Sequence, residues 1–272
     1  MALSIKNSRS HAAPHLKKLL TYSRYLYDYL KYGDIASVVA SMKYVVNKTS
    51  HSSDRIVTTS AGTYFCRKNT NDFQFANFYY EWGVKKFLLD RSTHFNVFID
   101  GGACTGEYCV LLAKKNIRCI AFEPVETTFD VLSRNLELNK LTDKVKAYKL
   151  GLGEQNVKTG FVFNPVNTGA SHMADVGQVV DCSVDIRTFD SIYPELGLKK
   201  QDRIVFKLDI EGMEPAAIRG AANFIREFPD IMFVMEDKHS GNDEIKETLN
   251  GIAPFGFGVV DEFNIYARKL NK

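Results

Sequence analysis

The chain has 272 residues, of which 45% are hydrophobic and 25% charged, and this ordinary globular composition excludes wholesale disorder. Its net charge of +3 gives no reason to expect a polyanionic partner. No segment approaches the roughly 20 apolar residues of a membrane span, and the N-terminus lacks the apolar core of a signal peptide. We therefore expect a cytoplasmic protein with one large α/β domain and an N-terminal extension.

The cysteines are odd in number, irregularly spaced and without a C-x-x-C pair. They are Cys66, Cys104, Cys109, Cys119 and Cys182. This pattern predicts reduced thiols of a cytoplasmic protein, rather than a disulfide framework or a zinc site.

Residues 1–50 form a basic, tyrosine-rich extension. Their eight basic and two acidic side chains give a balance of +6, which leaves −3 for the rest of the chain. Apolar side chains at helical spacing predict helices over residues 13–47, interrupted at Gly33-Asp34. Two interpretations remain open. The helical pair packs on the body or on another subunit, or it rests peripherally on the anionic inner surface of a membrane.

Residues 51–94 lead from the extension into the core. Two β-rich runs, Arg55–Thr59 and Thr63–Arg67, flank a small-residue turn and predict a hairpin. Asn71 or Asp72 is predicted to begin a helix rich in aromatic side chains. The aromatic segment FQFANFYYEWG is also a plausible interface of a homo-oligomer.

From residue 95 to residue 272, apolar strands alternate with helical segments. The predicted strands are Val97–Asp100, Arg118–Phe122, Val145–Lys149, Ile204–Leu208 and Ile231–Met235, with a closing pair at Gly256–Val260 and Asn264–Arg268. The predicted helices are 106–115, 127–139, 214–226 and 242–250. Residues 157–184 predict a β-hairpin or a loop over the sheet. Alternation of this kind is typical of a mostly parallel sheet covered on both faces, with ligands beyond the carboxyl ends of its strands.

A glycine-rich segment, Asp100-Gly101-Gly102-Ala103-Cys104-Thr105-Gly106, connects the first core strand to a helix. Its pattern is D-x-G-x-x-x-G, which has neither the Gly-Lys-Ser/Thr of a phosphate loop nor the glycine spacing of a dinucleotide fingerprint. Glycines allow a sharp turn and a close approach of a ligand to the backbone. The leading carboxylate would repel pyrophosphate and would attract a cationic or zwitterionic ligand such as S-adenosylmethionine.

Glu123 is a second candidate cofactor contact. It follows the second core strand, 23 positions after Asp100. An acidic residue at about this separation can accept hydrogen bonds from both ribose hydroxyls, of a nicotinamide cofactor or of S-adenosylmethionine alike. Pro124 then ends the strand, because it has no N–H to donate.

The fourth core strand delivers three charged side chains, Lys207, Asp209 and Glu211, at alternate positions. Charges at the end of a buried strand are costly unless they are paired or used. One interpretation is therefore an ion pair at the strand end, and the other is a functional site. Because the fourth strand normally lies beside the first, we expect Asp209 to lie close to Asp100.

The fifth core strand ends in Glu236-Asp237, and His239 follows two residues later. Carboxylates from neighbouring strand ends could hold a divalent cation weakly, here at Asp209 and Glu236, or could serve as a general base. The loop around His172 could act as a lid over the site.

Five segments occur in a characteristic order, FIDGGACTGEY, AFEP, NLELN, KLDIEGMEPAAIRGA and FVMED. Over residues 95–268 the chain thereby resembles the FkbM family of S-adenosylmethionine-dependent methyltransferases. The resemblance implies a Rossmann-like, seven-stranded class I methyltransferase sandwich with an antiparallel last strand. It also implies O-methylation of a hydroxyl on a sugar, a glycan or a small natural product.

The resemblance further implies which residues surround the cofactor. Those expected around its methionine part are Asp100, Gly101, Gly102, Gly106 and Glu107. Those expected at its ribose and adenine are Glu123, Pro124 and the turn Leu150-Gly151. Those expected to face the methyl group are Asp209, Glu211 and Gly212. The loop departs from the family's more usual Gly-Ala-Asn-x-Gly, so Cys104 and Thr105 are expected to offer backbone N–H groups only.

For the chemistry, Asp209 is the first candidate to accept the proton of the hydroxyl, with Glu236 or His239 as alternates. A divalent cation held by Asp209 and Glu236 is the other way to activate a hydroxyl. A nicotinamide-dependent oxidoreductase and an N-methyltransferase of a small molecule are the alternative functions. A nucleic-acid partner is not expected, because no basic stripe crosses the mildly acidic body.

Overall fold

The computed structural model describes residues 14–162, 172–173, 180–236 and 242–270. Within these residues, no helix combines the length and the hydropathy that a membrane crossing requires. The five cysteines are free thiols, and four of them are buried.

Two helices, α1 (Pro14–Lys31) and α2 (Ile35–Asn47), form the N-terminal extension. The chain turns between them at Gly33, which has a φ of 71°. Asp34 begins the second helix by accepting a hydrogen bond from the backbone N–H of Ser37 at 3.1 Å. The predicted interruption at Gly33-Asp34 is therefore confirmed.

The helical pair is fastened to the body by buried polar contacts of α1. Tyr29 is fully buried and donates its hydroxyl to the Phe73 carbonyl at 2.6 Å. The buried carboxylate of Asp28 accepts from the backbone N–H groups of Ser60 at 3.0 Å and Phe78 at 2.8 Å. The extension thus packs against the segment that leads into the core, as the first of the two interpretations expects.

That segment contains the predicted hairpin, β1 (Arg55–Thr58) and β2 (Thr63–Cys66), paired antiparallel. Two helices follow, α3 (Asp72–Ala76) and α4 (Trp82–Asp90), where the sequence predicted one. Asn71 stands at the N-cap position of α3, although its side chain makes no capping hydrogen bond there.

A central sheet of seven strands forms the core, in the order β12-β13-β11-β10-β3-β4-β5. The strands are β3 (Val97–Gly101), β4 (Arg118–Phe122), β5 (Val145–Tyr148), β10 (Ile204–Leu208), β11 (Ile231–Glu236), β12 (Phe255–Val259) and β13 (Asn264–Lys269). The first five pair in parallel, whereas β13 runs antiparallel to both of its neighbours. All seven predicted strands are present, and so is the predicted antiparallel last strand.

Helices cover both faces of the sheet. One face carries α4 together with α5 (Glu107–Ala113) and α6 (Glu126–Leu138). The opposite face carries α7 (Phe189–Ile192), α8 (Glu214–Arg219), α9 (Ala222–Glu227) and α10 (Asn242–Ile252). The single helix predicted over 214–226 is wrong, because the chain breaks at Gly220. A Cβ there would stand 1.9 Å from the Gly153 carbonyl oxygen, so the backbones are in close contact at this point.

A smaller sheet lies beside the core, in the order β6-β9-β7-β8. Its strands are β6 (Gly151–Leu152), β7 (Val157–Val162), β8 (His172–Met173) and β9 (Cys182–Arg187). The expected hairpin corresponds to the antiparallel pair β7–β9, but the structure places that pair in a four-stranded sheet. Most of the expected lid around His172 lies outside the described residues.

The register of the central sheet decides which side chains meet. Along β3, Phe98 joins the hydrophobic cluster under α4 and α5, whereas Ile99 joins the cluster on the opposite face. Asp100 therefore points to the α4–α5 side by alternation. The parallel pairing of β3 with β10 sets Lys207 directly beside Asp100.

Candidate functional site

The candidate site lies where β3, β4 and β10 end, next to the turn between β3 and α5. Gly102 has a φ of 82° in this turn, and a Cβ there would stand 2.0 Å from the carbonyl oxygen of Asp209. Gly106 has a φ of 83° and precedes α5. The backbone conformation therefore favours glycine at both positions, whether or not a ligand is bound. Cys104, at a φ of 47°, takes the same left-handed conformation without being glycine.

Asp100, at the end of β3, is completely buried. Its Oδ2 receives a long contact from the Cys109 thiol at 3.7 Å, and its Oδ1 has no hydrogen-bond partner within the described structure. Burial raises the pKa of Asp100 to about 6, although the Lys207 ammonium opposes the shift. A buried carboxylate oxygen without a donor is costly, so this atom is suited to a donor that a ligand brings.

Glu123 lies at the end of β4 and contacts the same turn. Its carboxylate accepts from the backbone N–H groups of Cys104 at 3.1 Å and Val125 at 2.9 Å. Burial raises the pKa of Glu123 to about 7. The Cys104 N–H, which was expected to face a ligand, is therefore bound by Glu123. Pro124 follows Glu123, and a Cβ on Gly151 would lie 3.4 Å from Pro124. The position expected for the ribose therefore adjoins the position expected for the adenine.

Lys207 and Asp209 form the ion pair that was one of the two interpretations of the fourth strand. The ammonium donates to Asp209 Oδ2 at 2.9 Å. Burial alone would lower the pKa of Lys207, but the carboxylates of Asp209 and Asp100 hold it well above its ordinary value. The Asp209 side chain remains 29% exposed, so this carboxylate faces outward from the pair.

Glu211 and Gly212 lie beyond the end of β10, in a turn where both have positive φ, 53° and 93°. The alternation that would place Glu211 on the same side as Lys207 does not extend to it, because the strand ends at Leu208, as predicted. Gly212 is again a position at which the backbone itself demands a glycine-like conformation.

Glu236 is the last residue of β11, and Asp209 directly follows β10, whose last residue Leu208 pairs with Met235. The structure thus brings these two predicted residues to the same edge of the sheet. His239 and Asp237, the other candidates from this segment, lie outside the described residues. Among the described residues, no group of three or more His, Cys, Asp or Glu side chains has the arrangement of a metal site.

Three further residues of the site, Glu81, Lys85 and Tyr108, were not predicted from the sequence. Lys85 is fully buried, and burial lowers its pKa to about 8. Burial also raises the pKa of the predicted residue Glu107 to about 8, while Lys85 opposes that shift. The sequence offered one signal for the burial of these charges. Glu81 and Lys85 are spaced to lie on the side of α4 that also buries Leu88.

The sequence matches the model of the family described as methyltransferase FkbM domain over residues 100–259, more than half of the chain. The chain belongs to the FkbM methyltransferase family. The resemblance stated from the motifs is confirmed, and the matched residues run from Asp100 to Val259, the end of β12. Glu81 and Lys85 precede the matched region.

Two curated proteins are similar to part of this FkbM-family chain. Methyltransferase 1 of Beauveria bassiana (strain ARSEF 2860) is 26% identical over 143 residues, which cover 45% of this chain and 57% of that protein. Methyltransferase sdnD of Sordaria araneosa is 27% identical over 154 residues, 45% of this chain and 59% of that protein. The aligned region thus spans less than two thirds of the length of each relative.

Among solved structures, methyltransferase FkbM from Methylobacillus flagellatus KT is 19% identical, with a TM-score of 0.46 over 64% of this chain and 43% of that chain. The O-methyltransferase from Bacillus cereus in complex with SAH is 14% identical, with a TM-score of 0.41 over 70% of this chain and 80% of that chain. The strand order of this chain is itself that of the Rossmann-like class I methyltransferase sandwich that the family resemblance implied.

Proposed function

We propose that this chain transfers a methyl group from S-adenosylmethionine to a hydroxyl of a sugar, a glycan or a small natural product. The observation that carries the proposal concerns the Oδ1 atom of Asp100. In a chain of the FkbM family, a fully buried carboxylate oxygen, with no donor in the described part of the chain, lies directly at the glycine turn. An ammonium group of a ligand would supply that donor, and S-adenosylmethionine carries one.

The residues present fit this cofactor. Asp100 and Glu107 would lie at its methionine part, where two buried carboxylates favour positive charge. Glu123 would lie at the ribose, and Pro124 with Gly151 at the edge of the adenine. When bound, S-adenosylmethionine supplies a methyl group on a cationic sulfur, a strong electrophile that needs alignment more than activation.

Asp209 is the residue that we propose to accept the proton of the acceptor hydroxyl. Its Oδ2 is held by Lys207, whereas its side chain is partly exposed at the mouth of the site. A hydroxyl becomes an effective nucleophile as its proton leaves, so a fixed carboxylate beside the methyl group would assist the transfer. Glu236, at the end of the neighbouring strand β11, and His239 remain the alternates, as does a divalent cation at Asp209 and Glu236.

Ligand-dependent thermal unfolding tests the cofactor assignment. We expect S-adenosylhomocysteine and S-adenosylmethionine to raise the melting temperature of the full chain, because a ligand that binds only the folded state stabilises it. NAD serves as the matched comparison for the alternative oxidoreductase, and it should leave the melting temperature unchanged. A shift with NAD alone would replace methyl transfer by hydride transfer.

We also propose that the extension rests peripherally on an anionic membrane surface, so that the acceptor hydroxyl belongs to a membrane-linked molecule. Helices α1 and α2 and their connection hold more than half of the exposed large apolar side chains in the described part of the chain. These are Leu20, Tyr22, Tyr27, Leu30, Tyr32, Ile35, Val39, Met42, Val45 and Val46. A concentration of exposed apolar side chains in one segment is typical of a binding face.

The charges of the extension favour a bilayer over a second copy of the chain. Its two acidic residues are used internally, since Asp28 is buried and Asp34 pairs with Arg55 at 2.8 Å. The surface charge left on the extension is therefore basic. In a twofold dimer the same basic surface would meet itself, which is repulsive. Anionic lipid provides both the apolar and the electrostatic complement.

Vesicle co-sedimentation of the full chain tests this proposal. The chain should bind phosphatidylcholine vesicles that contain phosphatidylglycerol and should not bind phosphatidylcholine alone. Val46→Glu should weaken binding about tenfold, because burying one valine in lipid contributes about 1.5 kcal/mol. Val259→Glu, at a comparably exposed position far along the chain, is the control. Equal binding of both variants, or dimerisation without lipid binding, would contradict the proposal.

A further inference from the structure

A groove opens at the end of the central sheet opposite to the candidate site. It lies beside the carboxyl end of α4 and the amino end of β10, and its volume is about 490 Å³. Five residue steps of about 3.3 Å each separate Ile204, at the groove, from Asp209, at the candidate site. A volume of about 300–1,000 Å³ is typical of small-molecule sites. The groove therefore has the size of a second ligand site.

The floor of the groove is apolar. Phe95, Ile204 and Val205 are at most 5% exposed, and Met232 and Tyr266 are partly buried. These side chains also belong to the hydrophobic clusters of the core, so the floor is continuous with packed protein. Such a floor can bind the apolar part of a ligand by removing it from water.

The rim of the groove is basic. Its charged side chains are three arginines and two carboxylates, namely Arg91, Arg203, Arg268, Asp90 and Asp230. Each carboxylate already has a cation, because Asp230 lies 3.6 Å from Arg268 and Asp90 lies 2.6 Å from Lys86, outside the groove. Arg91 and Arg203 form no ion pair with another described residue. Two positive charges are therefore left over at the rim, which a dianion would balance.

An aromatic stack holds the guanidinium of Arg91 in place. The guanidinium lies 3.8 Å from the centroid of the Phe87 ring, and that ring packs against Tyr266 of the floor with centroids 5.2 Å apart. Arg91 Nη1 also donates to the Phe87 carbonyl at 3.3 Å. A guanidinium has five N–H groups, so most of them remain for a ligand, in a fork that matches the oxygens of a phosphate.

Backbone hydrogen bonds fix the positions from which the other basic side chains project. The N–H of Arg203 donates to Asn96 Oδ1 at 2.8 Å, and the Arg203 carbonyl accepts from the Asn96 N–H at 3.1 Å. The N–H of His94, which also lines the groove, donates to the Arg91 carbonyl at 2.7 Å. The rim is thus ordered before a ligand arrives, which lowers the entropic cost of binding.

The carboxyl end of α4 adjoins the groove, and the free carbonyls of a helix end would disfavour an anion. Here those carbonyls are bonded within the protein. Arg91 donates to two of them, to that of Phe87 through its side chain and to that of Leu88 through its N–H at 3.2 Å. The Ser92 hydroxyl donates to the Leu89 carbonyl at 2.8 Å. The helix end therefore does not cancel the basic rim.

We propose that this groove binds a small phosphate monoester with an apolar body. A phosphate monoester carries about two negative charges at pH 7, which match the two arginines that have no carboxylate partner among the described residues. Its oxygens accept the charged hydrogen bonds of the guanidinium groups, while the apolar body covers the floor. A carboxylate would balance only one of the two charges. The inference does not depend on methyl transfer, because it concerns the opposite end of the sheet.

Calorimetric titration of phenyl phosphate into the full chain tests this proposal. We expect saturable binding with a dissociation constant below about 1 mM, both without and with S-adenosylhomocysteine. Arg91→Gln and Arg203→Gln should each weaken binding about tenfold, because each removes a charged hydrogen bond. Arg134→Gln is the matched control, since the Arg134 guanidinium also lies on a ring, 3.7 Å from the Phe65 centroid, but outside the groove. This control should bind phenyl phosphate as the wild type does.

Two further ligands separate the charge from the apolar body. Phenyl sulfate has the same shape and a single negative charge, and inorganic phosphate lacks the phenyl ring. Each should bind the wild type about tenfold more weakly than phenyl phosphate, and this comparison decides the matter if an arginine variant does not fold. Equal affinities for the three ligands, equal losses in Arg91→Gln and Arg134→Gln, or no saturable binding to the wild type would overturn the proposal.

Discussion

Gly102 is a single residue at which the sequence predicted the right conformation for an incomplete reason. A glycine in this turn was expected because a ligand must approach the backbone. The structure adds a cause within the protein, since the carbonyl of Asp209 fills the place of a Cβ. The turn after β3 and the turn after β10 are therefore fitted to one another before any ligand binds, which holds Asp100 and Asp209 at a fixed separation.

Substitution of Gly102 should destabilise the fold. Gly102→Ala adds a Cβ at a φ of 82° and 2.0 Å from a carbonyl oxygen. We expect a loss of about 3 kcal/mol in the free energy of unfolding, measured by chemical denaturation. Gly251→Ala is the matched control, because a Cβ there meets nothing within 4 Å and lies in α10. The control should be neutral or slightly stabilising, and similar losses in both variants would be inconsistent with this explanation.

Asp100 makes the stability of the ligand-free protein depend on pH. Its pKa rises from 3.8 to about 6 on folding, chiefly through burial. A raised carboxylate pKa means that the contribution to stability is complete below about pH 4 and is lost as the pH passes about 6. Relative to Asp100→Asn, the wild type should lose up to about 3 kcal/mol of unfolding free energy between pH 4 and pH 7. Denaturation at both pH values measures this, and parallel behaviour of the two proteins would speak against it.

At the scale of elements, the core strands could be predicted and the accessory ones could not. The strands β3 and β10 at the centre of the sheet are buried throughout and are apolar except for Asp100 and Lys207, as is typical of parallel strands covered on both faces. The smaller sheet is built by pairing β7 with β9 across a long insertion, and no local pattern records that pairing. The burial of a lysine in α4 could not be predicted for a similar reason. Lys85 stands in a helix whose other lysine, Lys86, is exposed, and only tertiary packing distinguishes them.

The helical extension should behave as part of the same cooperative unit as the hairpin and α3. Tyr29→Phe removes the hydrogen bond to the buried Phe73 carbonyl. We expect a loss of about 1–2 kcal/mol in the free energy of unfolding, with a single unfolding transition. Tyr27→Phe, at a position that is 61% exposed, is the control and should be neutral. A separate early transition for the extension would show that it folds independently.

For the whole molecule, the motifs sufficed to predict the sheet and the family, whereas the cofactor contacts stay predictions. The acceptor could not be predicted, since fold does not specify a substrate. The structure also shows which segments of the chain supply the charged side chains of the site. Residues 95–272 supply Asp100, Glu107 and Asp209, while α4 supplies Glu81 and Lys85 from before the matched region. The site is thus completed by the segment that also anchors the extension, because Asp28 of α1 binds the backbone of Phe78, three residues before Glu81.

We infer that Asp100 Oδ1, which has no hydrogen-bond partner among the described residues, receives the ammonium group of S-adenosylmethionine or of its product. Calorimetric titration of S-adenosylhomocysteine into the wild type and into Asp100→Asn tests it most directly. We predict saturable binding to the wild type and an affinity at least about tenfold weaker for the variant, because a charged hydrogen bond contributes about 1.5–3 kcal/mol. Equal affinity of the two proteins, or no binding to the wild type, would contradict the claim.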